Sequence, residues 1–182
     1  MGMAAPLYHT AEMVRAFPDD GNRYETVHGE LLMTPAPRLR HQEVVARLHV
    51  ALRSYCGKHG VGHVFSSPAD ISWGPGILVQ PDVFVVPLAQ ARTLDWAAIR
   101  SLLIAVEVLS PSSARADRFT KRRLYQEMGI PVYWMVDADD GVVEVWTPEA
   151  TFPVFERERL VWHPEGAGEP LVISCAELFR PL

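Results

Sequence analysis

The chain has 182 residues and a mass of 20.4 kDa, and its 48% hydrophobic and 21% charged residues give the balance of a globular protein, not a disordered, collagenous or coiled-coil one. Seventeen Lys and Arg against 22 Asp and Glu leave a net charge of −5, which excludes a protein that holds nucleic acid by charge alone. No apolar run reaches the ~18 residues of a membrane-spanning helix, so an integral membrane protein is not expected either.

At the N-terminus, MGMAAPLYHTAEMVRAF has no basic segment followed by an apolar stretch, and Pro6 stands where a myristoylation signal needs Ser or Thr; secretion and lipid anchoring are not expected. Thr10 is placed to N-cap a short helix through Phe17, ended by Pro18 and the Asp19, Asp20, Gly21 cluster. RYETV and ELLMT flank His28-Gly29, a two-residue connection of hairpin type. From His41 to Tyr55, Val44, Val45, Leu48, Leu52 and Tyr55 recur at helical spacing, and Gly57 and Gly60 are expected to stop that helix, leaving Lys58 in a loop. Short extended segments follow to Val86 and end in ILVQPDVFVV, read as one apolar strand. SLLIAVEVLS has the continuous apolar character of a strand buried on both faces. A helix is expected from about Ala114 to Met128, closed by Gly129 and Pro131. VYWMV, the turn Asp139-Asp140-Gly141 and VVEVW predict a second hairpin, and the tail carries a short strand, LVIS. The elements add up to an α/β protein, a central mixed β-sheet flanked by helices. One domain over 1–182 is expected, with a core at about 22–147 and a C-terminal extension at 148–182. Cys56 and Cys175 form neither a CxxC pair nor a disulfide framework, which fits a reducing cytoplasm.

Three residues break the local pattern. Glu107 stands inside LLIAVEVL, where a buried carboxylate costs several kcal/mol unless it is paired or metal-bound. Asp82 is the same anomaly in ILVQPDVFVV and by strand alternation shares a face with Gln80 and Phe84, although a turn role after Pro81 also accommodates it. Lys121, one of two lysines in the chain, has Leu124, Tyr125 and Met128 at i+3, i+4 and i+7 and therefore points toward the sheet. Glu107 and Lys121 alone read equally well as a structural ion pair. With Asp82 added, two carboxylates and an ammonium form the set that metal-assisted phosphodiester hydrolysis uses: the carboxylates hold Mg²⁺ and the lysine orients the attacking water. Glu30 and His41 are accessory candidates. Arg115, Arg118, Lys121, Arg122 and Arg123 against one acid, Asp117, make a basic rim suited to a nucleic-acid backbone.

The segments YETVHGELLMTPAPRLRHQEVVARL, VQPDVFVV, IAVEVLSPSSARADRFTKRRLYQEMGIPVYWMVD and LVISCAELF resemble the bacterial Uma-type family of "putative restriction endonucleases", a branch of the PD-(D/E)XK nuclease superfamily. The most specific block is EVLSPSS followed by Asp117, Lys121, Tyr125 and YWMVD. The resemblance implies a restriction-endonuclease-like core with magnesium at the open edge of the sheet. Pro81-Asp82 matches the first motif and Glu107 the acidic position of the second. Leu109 occupies the position where the superfamily pattern has lysine, and Lys121 looks like that lysine relocated to the next helix. The expectation is a Mg²⁺-dependent DNA endonuclease, with Mn²⁺ as a substitute ion. Asp82, Glu107 and the Val108 carbonyl bind metal, Lys121 assists the water, Glu30, His41, Gln80 and Tyr125 are accessory, and Arg115, Arg118 and Arg122 contact DNA. Dimeric action is implied by the resemblance. The alternative is a non-catalytic nuclease-fold interaction module with a Glu107 to Lys121 ion pair.

Overall fold

The structure, a computed structural model, describes residues 7–182; Pro6, on which the reading of the N-terminus rests in part, lies outside the described residues. Thr10 caps α1 (Ala11–Arg15) by accepting from the Met13 amide at 3.2 Å. β1 (Arg23–Val27) and β2 (Glu30–Thr34) pair antiparallel around His28 and Gly29, both at positive φ, the turn whose twist matches the strands. Gly29 is required there for a second reason, because the Tyr8 ring fills the space a Cβ would need. α2 (Leu39–His59) is longer than its periodicity predicts. Gly57 lies within it, and only Gly60, at φ 66° with its amide donating to the Cys56 carbonyl, ends it. Lys58 therefore stands in the last helical turn, where a cation faces the negative end of the dipole, and not in a loop.

β3 (His63–Ser66) and β4 (Ile71–Gly74) follow. The run ILVQPDVFVV then forms two strands instead of one, β5 (Ile77–Val79) and β6 (Val83–Val86), in different sheets. Pro81 offers no amide to a ladder, so the chain crosses between sheets at residues 80–82. α3 (Leu88–Ala91) leads to β7 (Ile104–Val108), buried throughout as expected. The next helix starts at Ala114 but is a π-helix over Ala116–Lys121 before continuing as α4 (Arg122–Glu127). β8 (Tyr133–Asp137) and β9 (Val142–Trp146) form the second hairpin. β10 (Val154–Glu156), β11 (Arg159–Trp162), β12 (Leu171–Ser174) and α5 (Cys175–Leu178) complete the chain.

Six strands form a mixed sheet in the order β10-β9-β8-β7-β6-β3, and the β7 to β8 pair is parallel because a helical crossover joins them. A second sheet has the order β2-β1-β5-β4, and β11 and β12 form a ribbon. Period-two alternation divides the core. Val83, Val85, Ile104, Val106, Val108, Trp134 and Val136 pack with Leu48 and Leu52 of α2. Phe84, Val86, Ala105, Tyr133 and Met135 pack on the other side, with Leu124 and Tyr125 of α4 and with Val27, Leu32 and Val79 of the four-stranded sheet. Each large apolar side chain so buried contributes about 2–3 kcal/mol. The same alternation puts Glu107 on the Ala105 side, between the two sheets and below α4.

Candidate active site

Val83 lies opposite Val106 in the antiparallel β6 to β7 ladder, so the next step of that register sets Asp82 beside Glu107 where the two strands end. The Val108 amide donates to Asp82 Oδ2 at 2.9 Å and fixes the carboxylate there. Lys121 comes back over the strand end from the π-turn, and its Nζ lies 3.0 Å from Glu107 Oε1 and 3.3 Å from Asp117 Oδ1, one helical turn earlier. The four-stranded sheet supplies the remaining carboxylate. In β1, Arg23, Glu25 and Val27 share the inward face, and Glu25 Oε2 is 2.7 Å from Lys121 Nζ while Oε1 accepts from the Gln80 amide at 2.7 Å. Arg23 Nη1 donates to Asp82 Oδ1 at 2.8 Å, and His41 Nε2 lies 3.1 Å from Asp82 Oδ2. The Tyr125 hydroxyl donates to Glu107 Oε1 at 3.2 Å.

Four carboxylates, all at most 2% exposed, thus face two side chains that stay cationic, Arg23 and Lys121. Burial pushes the Glu107 carboxyl well above the usual range against the pull of Lys121, and the neighbouring Asp117, Asp82 and Glu25 add to the rise. Asp117 rises for the same first cause. Burial also acts on Asp82, but the His41 contact and the Arg23 charge overcome it and hold this carboxyl below its ordinary value. Burial would depress the Lys121 ammonium, and three carboxylates around it raise it well above normal instead. A proton or a divalent cation is the species that can offset the excess of negative charge. The buried Glu25 Oε2 and Asp117 Oδ1 touch Lys121 only ionically and accept no hydrogen bond, so their lone pairs are unspent. The donor set is hard oxygen throughout, which suits Mg²⁺ or Mn²⁺. Among the described residues no group of three or more His, Cys, Asp or Glu side chains is arranged to hold a metal ion, and Lys121 stands among the oxygens; the cluster fits such an ion in charge and ligand chemistry and not in spacing.

Asp82, Glu107, Val108, Lys121, His41 and Tyr125 all meet at this cluster. Gln80 adjoins it, locking Glu25 through its amide while its side chain bonds the Tyr24 carbonyl and the Ala69 amide. Glu30 does not join it. That residue is exposed at the turn end of β2, opposite Val27, and its place in the cluster is taken by Glu25 on the paired strand. Glu25, Arg23 and Asp117 are the members that sequence reasoning left unassigned. Their signals were Glu25 alternating with Val27 in RYETV, and Asp117 four residues before the inward Lys121. Of the arginines, Arg118 is held by Glu144 at 2.9 Å and Asp137 at 3.5 Å, and Arg122 lies over the Trp146 ring at 4.6 Å. Arg115 is exposed and makes no ion pair among the described residues. Leu109 packs into the apolar core with Leu124 and Tyr125 of α4.

A groove of about 790 Å³ opens over Asp82 and is lined by Arg23, Arg38, His41, Ser67 and Ser110. A second, of about 560 Å³, carries Met33, Arg115 and Phe119, and the two share Thr34 and Ser112. The model of the Uma2 family, described as "Putative restriction endonuclease", matches residues 11–168. The chain belongs to that family. Among solved structures it is similar to the crystal structure of a "putative nuclease belonging to DUF820" from Anabaena variabilis, with a TM-score of 0.77 and 21% identity over 93% of this chain and 97% of the other. That likeness shows the Uma2 chain and the Anabaena protein to share a fold. No curated protein matches the chain. Among the described residues no helix is long and apolar enough to cross a membrane.

Proposed function

We propose that this Uma2 protein is a Mg²⁺-dependent DNA endonuclease that hydrolyses phosphodiester bonds at the Asp82, Glu107 and Lys121 cluster. The observation that carries the reading is the convergence of three buried carboxylates, from β1, β7 and the π-turn, on the Lys121 ammonium, with the fourth, Asp82 at the β6 entry, beside them and lining an open groove. A bound divalent cation supplies charge neutralisation for the phosphodiester and a more acidic water. Asp82 and Glu107, with the Val108 carbonyl, would hold that ion. Asp82 is oriented for the task by the Val108 amide and His41, and Glu107 by the Tyr125 hydroxyl. Lys121 keeps its proton under the three carboxylates and donates toward the attacking oxygen or the developing charge on phosphate. Arg115 and Arg38, exposed along the two grooves, contact the backbone of the nucleic acid. Cutting both strands of a duplex takes two such sites, and a homodimer with a twofold axis provides them.

A second reading, the non-catalytic module, is favoured by the full engagement of Lys121 with its three carboxylates. Divalent-metal binding and plasmid cleavage separate the two. Supercoiled plasmid incubated with Mg²⁺ or Mn²⁺ should be nicked or linearised by the wild type and left intact by Glu107→Gln and Asp82→Asn that remain folded. Intact plasmid with every chain, together with no calorimetric binding of Mn²⁺, would leave the structural ion pair as the role of the cluster.

A further inference from the structure

Of the cations in the cluster, Arg23 is the one that reaches the surface. Its side chain is 20% exposed in the groove, against 1% for Lys121. Its hold on the site is also lopsided. Nη1 bonds Asp82 Oδ1 at 2.8 Å and Ser67 Oγ at 3.1 Å. Nε is buried with no hydrogen-bond partner, and Glu25 Oε2 stands 3.9 Å away. Asp82 shows the complementary asymmetry: Oδ2 is taken by the Val108 amide and His41, both parts of the rigid frame, and Oδ1 is taken by Arg23 alone. An incoming cation that uses Asp82 therefore meets Oδ1, the oxygen Arg23 occupies.

We propose that Arg23 is a tethered cation that fills the place of the divalent ion at Asp82 and exchanges with it, turning its guanidinium into the groove toward a substrate phosphate when the ion binds. The inference rests on the metal-dependent reading above and adds a positioning residue to it. The observations fit exchange better than a permanent ion pair. A settled buried guanidinium satisfies Nε as well as Nη1, and planar forked donors on a groove wall are the groups that clasp phosphate two-pronged. The exchange also keeps charge in balance. Arg23 offsets part of the carboxylate excess while the ion is absent and vacates when the ion supplies that charge.

The test is Mn²⁺ affinity by calorimetry on the full chain. Arg23→Gln removes the competing charge and should bind Mn²⁺ about tenfold tighter or more than the wild type, because one unit charge within hydrogen-bond distance of a ligand oxygen is worth at least that much. Arg23→Lys, which keeps the charge, should stay within about twofold of the wild type. Equal or weaker binding by Arg23→Gln overturns the proposal while leaving the metal reading intact. No binding by the wild type overturns both. Should Arg23→Gln not fold, the wild type supplies the answer: in ¹H–¹⁵N spectra of the arginine Nε groups, Mg²⁺ should shift the Arg23 signal, and an unmoved signal with Mg²⁺ bound refutes exchange.

Discussion

Replacing Glu107 by glutamine separates the roles of charge and shape at the centre of the cluster. Glutamine has the same outline, and burial together with three neighbouring carboxylates raises the Glu107 carboxyl well above its ordinary range, which favours the protonated form that glutamine mimics. Glu107→Gln should therefore cost less than about 1 kcal/mol in metal-free buffer, as an isosteric change that strands no buried charge. Lys121→Met is the contrast. It leaves Glu25, Glu107 and Asp117 without their ammonium, and removal of one partner from a buried pair costs about 3–5 kcal/mol. For a chain of this size that is a fall of about 6–20 °C in Tm. Urea denaturation followed by circular dichroism with EDTA present measures both. The pH dependence has a definite sign. A carboxyl whose folded pKa is raised binds its proton more tightly folded than unfolded, so its contribution falls as pH climbs above the unfolded value toward the raised one. The glutamine variant lacks that proton, and its stability relative to wild type should rise as pH climbs above the ordinary carboxylate value. Equal destabilisation by Glu107→Gln and Lys121→Met, or a relative stability that falls with pH, would refute the upward shift of the Glu107 carboxyl.

Asp82 behaves in the opposite sense. Its lowered pKa gives a contribution present above the ordinary carboxylate value and lost as pH falls through the lowered one, so Asp82→Asn should flatten the acid limb of a stability-against-pH curve. It should also cost about 3 kcal/mol at pH 7, since Arg23 loses its partner, and it should abolish metal-dependent cleavage. Gly29→Ala should lower stability by about 1–3 kcal/mol by thermal denaturation, because φ is +83° and the Tyr8 ring stands where the methyl would go. Arg115→Ala should weaken DNA binding uniformly across sequences and reduce the salt slope by about one, as measured by fluorescence anisotropy at several salt concentrations. Arg122→Ala should act chiefly on stability, through loss of the contact with Trp146, by about 0.5–1 kcal/mol in a urea titration.

The amino-acid sequence by itself determined the hairpins, the helix core of α2, the buried strand β7 and the three anomalous polar residues Asp82, Glu107 and Lys121. These are properties of local period and local cost: a two-residue turn, a 3.6-residue repeat, and a charge in an apolar run are visible within ten residues. It also carried the family resemblance, which the match over residues 11–168 bears out. Only the tertiary structure decided which other residues complete the site. Glu25 and Arg23 lie on a hairpin more than 50 residues from Asp82, and nothing local distinguishes an edge-hairpin glutamate in water from one pressed against a lysine across two sheets. The pairing of β1 with β5, and the crossing of the chain at Pro81 from that sheet to the other, bring them there. Glu30, with the same residue type three positions beyond Val27, stays in solvent because strand alternation and the edge position turn it out. A carboxylate becomes part of a buried charge cluster through what folds over it, and that is fixed by long-range packing and not by its neighbours in the chain.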